Sequence, residues 1–208
     1  MFRYGSPFHR FMTLVSNLIL LNVLWILTSL PVFTAGASFA ALYSVTLKYV
    51  YKEDDSAVRA YFRAFKQNFK QATAIWIPNA LIGLALVAGL YYLSSSETGM
   101  IWWVIFGIVA FLFCLASSMI YPMLGRYENT TTAIIFNSIN ISVRNIGGMI
   151  CVVILNLAPW IFAAEFTNVF MYLGLIWTFI GFSLIAYLNS IVIARIFNKY
   201  DSQEQQPD

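Results

Sequence analysis

The twelve Lys and Arg residues fall into four short segments, and alternate gaps between the apolar stretches hold none of them. The basic segments carry Arg3 and Arg10; six residues within 48–70; Arg126 and Arg144; and Arg195 and Lys199. The gaps near 31–36, 94–100 and 163–168 hold neither residue type. Moving positive charge across a bilayer is costly, so loops rich in Lys and Arg stay on the cytoplasmic side. The alternation predicts about six crossings with both termini cytoplasmic. The apolar stretches run about 17 to 25 residues, the length that spans roughly 30 Å of hydrocarbon. With 60% hydrophobic and 10% charged residues, the chain lies outside the composition of ordinary soluble domains. The expected fold is an all-α, polytopic membrane helical bundle in one domain over 1–200.

The expected spans are 11–30, 35–50, 72–93, 101–124, 147–164 and 169–196, with a disordered polar tail over 201–208. Trp and Tyr favour the two membrane–water interfaces, which supports these limits independently of charge. Tyr91, Tyr92, Trp102, Trp103, Trp160 and Tyr172 cluster at the outer boundary, and Tyr49, Tyr51, Tyr121 and Tyr127 at the inner one. The run from Phe11 to Phe33 exceeds a signal-peptide core of about 7–15 residues and reads as a retained span. Gly36, Ala37, Ala40, Ala41 and Ser44 put a small-residue face on span 2, which predicts a tight hairpin with span 1. A shallow re-entrant hairpin would also return the chain to the cytoplasm, and charge counting does not separate the two forms.

The long cytoplasmic segment reads as a basic amphipathic helix over 56–70. Glu53, Asp54 and Asp55 lead into Ser56, a suitable N-cap with negative charge at the positive end of the helix dipole. Val58, Tyr61, Phe62, Phe65 and Phe69 recur at three- and four-residue intervals, and Arg59, Arg63, Lys66 and Lys70 form a second stripe of the same spacing. Such a helix belongs in the membrane interface, where the basic stripe contacts lipid or a partner. After span 4, Asn129 or Thr130 can cap a second helix through Ile134, Ile135, Phe136 and Ile139 to Arg144 and Asn145. Both segments read as span, polar cap, interfacial helix, basic residue and span, the outline of an internal repeat with few matching residues.

No catalytic set is visible. The one histidine, His9, stands alone before span 1, so neither Ser–His nor Cys–His chemistry has its base. There is no phosphate-binding glycine loop followed by Lys. Cys114 and Cys151 sit in apolar stretches and read as packing residues, without the further Cys or His a metal site needs. The expectation is a non-enzyme with no cofactor, no metal and no nucleic-acid partner; the basic inner face suits anionic headgroups instead.

The middle of every span is free of Asp, Glu, Lys, Arg and His, which disfavours a proton-coupled pump. Asparagine remains: Asn17 and Asn22 in span 1, Asn79 in span 3, Asn156 in span 5 and Asn189 in span 6. Asn79 adjoins Pro78 and Asn156 precedes Pro159, so these amides could satisfy backbone carbonyls that proline frees. The functional alternative is a polar cavity for an uncharged, hydroxyl-rich solute.

Two stretches carry a family likeness. The run from Asn22 through Trp25, Pro31 and Gly36 to Ser38, followed by Ala40, Ala41, Leu42 and Tyr43, resembles the first signature of the YesL-type family of bacterial membrane proteins. The run Tyr61-Phe-Arg-Ala-Phe-Lys-Gln-Asn-Phe-Lys-Gln-Ala72 resembles its second. The likeness extends over nearly the whole chain and is densest in the first 80 residues or so. The resemblance implies a plasma-membrane protein associated with carbohydrate uptake. It further implies an accessory component of a sugar ABC importer, with ABC transporter subunits as partners. A small permease with an Asn-lined cavity is the alternative.

Overall fold

The structure is a computed structural model that describes residues 7–53, 56–97, 99–166, 174 and 177–204. Among these there is no strand. The chain forms α1 (Pro7–Ser29), a 3-10 turn (Val32–Thr34), α2 (Ala35–Tyr51), α3 (Ala57–Ser95) and α4 (Met100–Arg126). It continues through α5 (Thr131–Arg144), α6 (Ile146–Glu165), a π turn (Trp177–Gly181) and α7 (Phe182–Glu204). Five stretches are long and apolar enough to cross a membrane: Phe8–Ser29, Ala57–Ser95, Met100–Arg126, Ile146–Glu165 and Trp177–Ser202. The protein is a helical bundle of the multi-pass membrane type. The beginning expected for the last span, 169–173, lies outside the described residues.

The sixth apolar stretch, α2, is 17 residues long. That makes about 26 Å of helix, short of the ~30 Å of hydrocarbon. Its apolar side chains do not face lipid: Ala37, Ala40, Ala41, Leu42, Val45 and Leu47 are buried. Helices α1, α3, α4 and α7 all pack on it, so α2 is the axis of the bundle. Small residues make this possible, since helix association in lipid depends on close backbone approach. A Cβ at Gly36 would lie 2.5 Å from Trp76 Cβ and 2.7 Å from the Ala72 carbonyl oxygen. One at Gly125 would lie 2.8 Å from both the Ala40 oxygen and the Ser44 nitrogen. The small face that sequence assigned to span 1 is therefore seated on α3 and α4.

The α1–α2 turn also lies at an unexpected depth. Trp76 Nε1 donates to the Val32 carbonyl at 2.7 Å, which pins the turn to the middle of α3. Trp76 is about 25 Å along the helix from Leu93. Sequence put gaps 31–36 and 94–100 on one face; they sit at different positions along α3.

The basic helix expected at 56–70 is not a separate element. α3 runs unbroken for 39 residues with Pro78 inside it, about 58 Å in all. The basic segment and the third span are one rod. Ser56 takes the N-cap position with extended backbone, but its side chain makes no capping bond; Asp54 and Asp55 lie outside the described residues. The second segment follows expectation more closely. Thr130 accepts a capping bond from Ala133 N, α5 ends at Arg144, and Asn145 (φ −121°, ψ 41°) breaks the chain before α6. The two segments thus share an outline and differ at the join.

The tail is a further correction. α7 continues through Glu204, because Asp201 is held by Arg126 and by the Tyr127 hydroxyl, each at 2.8 Å. Residues 205–208 lie outside the described residues.

Candidate functional site

Between α2, α4, α6 and α7 lies a half-open cavity of about 290 Å³. Its walls are largely aromatic, from Phe39, Phe113, Tyr121, Trp160, Trp177 and Phe182, and Tyr43, Ser117, Ser118 and Asn156 supply polar groups. Among the described residues, no Asp, Glu, Lys, Arg or His lines it. An unpaired charge would be strongly disfavoured in such surroundings, whereas an uncharged solute with an apolar face and hydroxyls suits them.

A chain of hydrogen bonds stands behind the polar groups. Asn189 Nδ2 donates to the Tyr43 hydroxyl at 3.1 Å and to Asn156 Oδ1 at 2.8 Å. Asn156 Nδ2 in turn donates to Ser118 Oγ at 3.3 Å. Asn189 is fully buried, and its Oδ1 has no partner among the described residues. A buried amide that is only partly satisfied is costly, so its packing must be fixed by what surrounds it. Ser117 Oγ, also in the wall, donates to Asn79 Oδ1 of α3 at 2.8 Å. The structure therefore places Asn156 in the cavity wall, with Asn189 and Asn79 each bonded to a residue of that wall. Both α6 and α7 bring their amides to it by facing one another, with Gly148 of α6 packed against Val192 and Ile196 of α7.

The bonds shown for these amides run between helices rather than to carbonyls freed by Pro78 or Pro159. Asn22 plays a different part. Its Nδ2 donates to the Thr178 carbonyl at 2.6 Å and its Oδ1 accepts from Ser183 N at 2.9 Å. A π turn disturbs the ordinary helical ladder, and one amide from α1 supplies both a donor and an acceptor where Trp177–Gly181 joins α7. Trp25 stacks on Phe182 at 4.3 Å between ring centroids in the same contact. Asn22 thus fixes the elements that carry Trp177 and Phe182, two walls of the cavity. Cys114 is also in the wall, and Cys151 is exposed.

A second polar centre closes the opposite ends of α2, α4 and α7. Arg126 donates to Asp201 and lies 4.1 Å over the Tyr51 ring, with Tyr127 and Phe197 within 6 Å. Burial and the neighbouring Asp201 carboxylate push the Tyr127 hydroxyl up to about 12, so it remains a donor to Asp201. A smaller polar hollow of about 280 Å³ opens beside it, lined by Lys48, Tyr51, Glu53 and Arg126 among others.

The stripe Arg59, Arg63, Lys66 and Lys70 is exposed along α3, and none of the four lines the cavity. The face that α3 turns to the bundle is Ala57, Ala60, Tyr61 and Ala64. The Tyr61 hydroxyl meets Thr28 Oγ1 at 2.6 Å. Sequence reasoning grouped Tyr61 with the interfacial aromatics; it is a buried anchor. It also missed Tyr43, Ser117, Ser118 and the Arg126–Asp201 pair, of which only the unusual tyrosine amid the small residues of α2 carried a local signal.

Residues 18–90 match the family described as "Protein of unknown function, DUF624". The match takes in a little over a third of the chain, spanning the second half of α1, all of α2 and most of α3. No curated protein and no solved structure matches the chain.

Proposed function

We propose that the protein is a non-enzymatic membrane component of carbohydrate uptake that holds an uncharged, hydroxyl-bearing solute in the cavity between α2, α4, α6 and α7. The observation that carries this reading is the buried chain Tyr43–Asn189–Asn156–Ser118 behind an aromatic, charge-free wall. Aromatic faces suit the C–H side of a sugar ring, while amide and hydroxyl groups suit its hydroxyls. The carbohydrate element rests on the YesL-type likeness of the Asn22–Tyr43 and Tyr61–Ala72 stretches. Uptake of labelled sugars by cells with and without the gene tests it. Asn156→Ala should lower uptake while membrane abundance stays near wild type; equal loss of both would make the amide a packing group.

The mutual bonding of Asn156 and Asn189 favours a second reading, in which these amides only join helices and the protein serves as an accessory component of a sugar ABC importer. Recovery of transporter subunits with the protein in mild detergent, together with unchanged uptake by Asn156→Ala, would favour it. The YesL-type likeness supports a bacterial cell membrane, and the Lys and Arg distribution supports both termini being cytoplasmic. With the α1–α2 turn held at Ala72 and Trp76, crossings by α3, α4, α6 and α7 satisfy that placement. Fluorescent-protein fusions at each end test it, since dark fusions at either end would reject it.

A further inference from the structure

We infer that the first four turns of α3 form a binding surface for anionic lipid headgroups, with Arg59, Arg63, Lys66 and Lys70 on the phosphates and the adjoining row Val58, Phe62, Phe65 and Phe69 at the acyl boundary. The two rows have the same four-, three- and four-residue spacing and are offset by one residue, so they run side by side, about 100° apart around the helix. All four cations are exposed. In the apolar row Val58 is 37% and Phe62 41% exposed, while Phe65 and Phe69 are half-buried. The opposite face is fixed, because Tyr61 is fully buried and bonded to Thr28. The helix therefore cannot roll to hide the apolar row.

What lies next to the surface identifies the occupant. Beyond Lys70 the same helix exposes Ile77, Leu81 and Leu84, which is lipid-facing chemistry. The α1–α2 turn, pinned to Trp76, exposes Leu30 at 70% and Val32 at 72%. The basic row thus begins where apolar surface ends on two neighbouring elements. Exposed aromatic and apolar side chains beside cations match an interface with hydrocarbon on one side and phosphate on the other. The long stems of Lys and Arg let the charged groups reach the phosphates from there.

The test uses the full chain in detergent with phosphatidylglycerol or phosphatidylcholine, and native mass spectrometry counts retained lipid. Wild type should retain phosphatidylglycerol preferentially. R59Q/R63Q/K66Q/K70Q should retain it at least about tenfold less, whereas R195Q/K199Q should match wild type. Excess inorganic phosphate at constant ionic strength should leave the lipid bound, which separates a headgroup in its bilayer setting from free phosphate. Equal phosphatidylglycerol retention by the quadruple variant, or no preference in wild type, would overturn the inference. A second measurement leaves the charges in place: a spin label on Phe62→Cys, in a Cys114→Ala/Cys151→Ala background, in vesicles containing phosphatidylglycerol. The label should be reached by oxygen rather than by a water-soluble nickel complex. Nickel access as in bulk water, or protection only when an acidic protein is added, would overturn it too.

Discussion

Where α2 meets α3 and α4, backbones touch at Gly36 and Gly125, and the surrounding side chains are buried. Where α3 and α4 run on toward their shared turn, Leu81, Leu84, Val87, Ile101 and Ile108 are all more than half exposed. Both regions are apolar, so hydrophobicity alone does not distinguish them. Lipid tails solvate leucine as well as another helix does, and helices join in a membrane through close packing and hydrogen bonds. The α2-centred region has both: glycine contacts, and bonds such as Thr46 to Ser190 at 2.8 Å. The outer hairpin has few of either and is built to be surrounded by lipid.

The largest effect should come from filling the closest backbone contacts. At Gly36 and Gly125 the nearest atoms include backbone, which cannot swing aside as a side-chain tip can. Gly125→Ala and Gly36→Ala should each destabilise the bundle by about 1–3 kcal/mol, and the leucine variants by more. Reversible unfolding in mixed micelles reads this out. Variants as stable as wild type would show that α2 is not the packed axis.

Next in size is the amide chain. Asn189→Leu leaves Tyr43 without that donor and Asn156 Oδ1 without its partner. The expected loss is about 1–2 kcal/mol, in keeping with interhelical bonds in lipid. A double-mutant cycle with Asn156→Leu should show non-additive losses. Strict additivity would mean that the two amides do not act as a pair.

Smaller still is the latch at the opposite end. The Arg126–Asp201 pair is 25% and 33% exposed, so Asp201→Asn should cost about 1 kcal/mol or less. Its pH signature is more informative than its size. The Tyr127 hydroxyl is raised from 10.0 to about 12, so folding favours the protonated form. Its contribution is full below pH 10 or so and is lost as pH rises toward 12. Tyr127→Phe should remove that part of the alkaline loss of stability, as read by thermal unfolding at successive pH values. An unchanged alkaline profile would remove Tyr127 from the latch.

These features differ in how far the chain announces them. The limits of α5 were legible because Thr130 and Asn145 are local breaks. The continuity of α3 was hidden by a change of composition: a charged amphipathic stretch gives way to an apolar one at Ala72, and the change reads as an element boundary. Nothing between Lys70 and Trp76 breaks a helix, so the backbone carries on. Asn156 and Asn189 stood out as polar groups in apolar runs, but their pairing joins positions 33 apart, which periodicity does not encode. Asp201 was obscured by its polar neighbours, with a partner 75 positions away. Local chemistry was readable; contacts that close the bundle were not.

The smallest prediction has the opposite sign and separates the two regions most directly. Gly107 lies in the outer part of α4, and a Cβ there would meet nothing within 4 Å. Alanine should fit without any shift and should favour the helical backbone, by up to about 1 kcal/mol. The gain will be modest because the hairpin is already helical and its neighbours do not change. The same Gly→Ala replacement should therefore stabilise at position 107 and destabilise at positions 36 and 125, in one protein and one detergent. If all three destabilise alike, the outer hairpin has a packing partner and is not simply solvated by lipid.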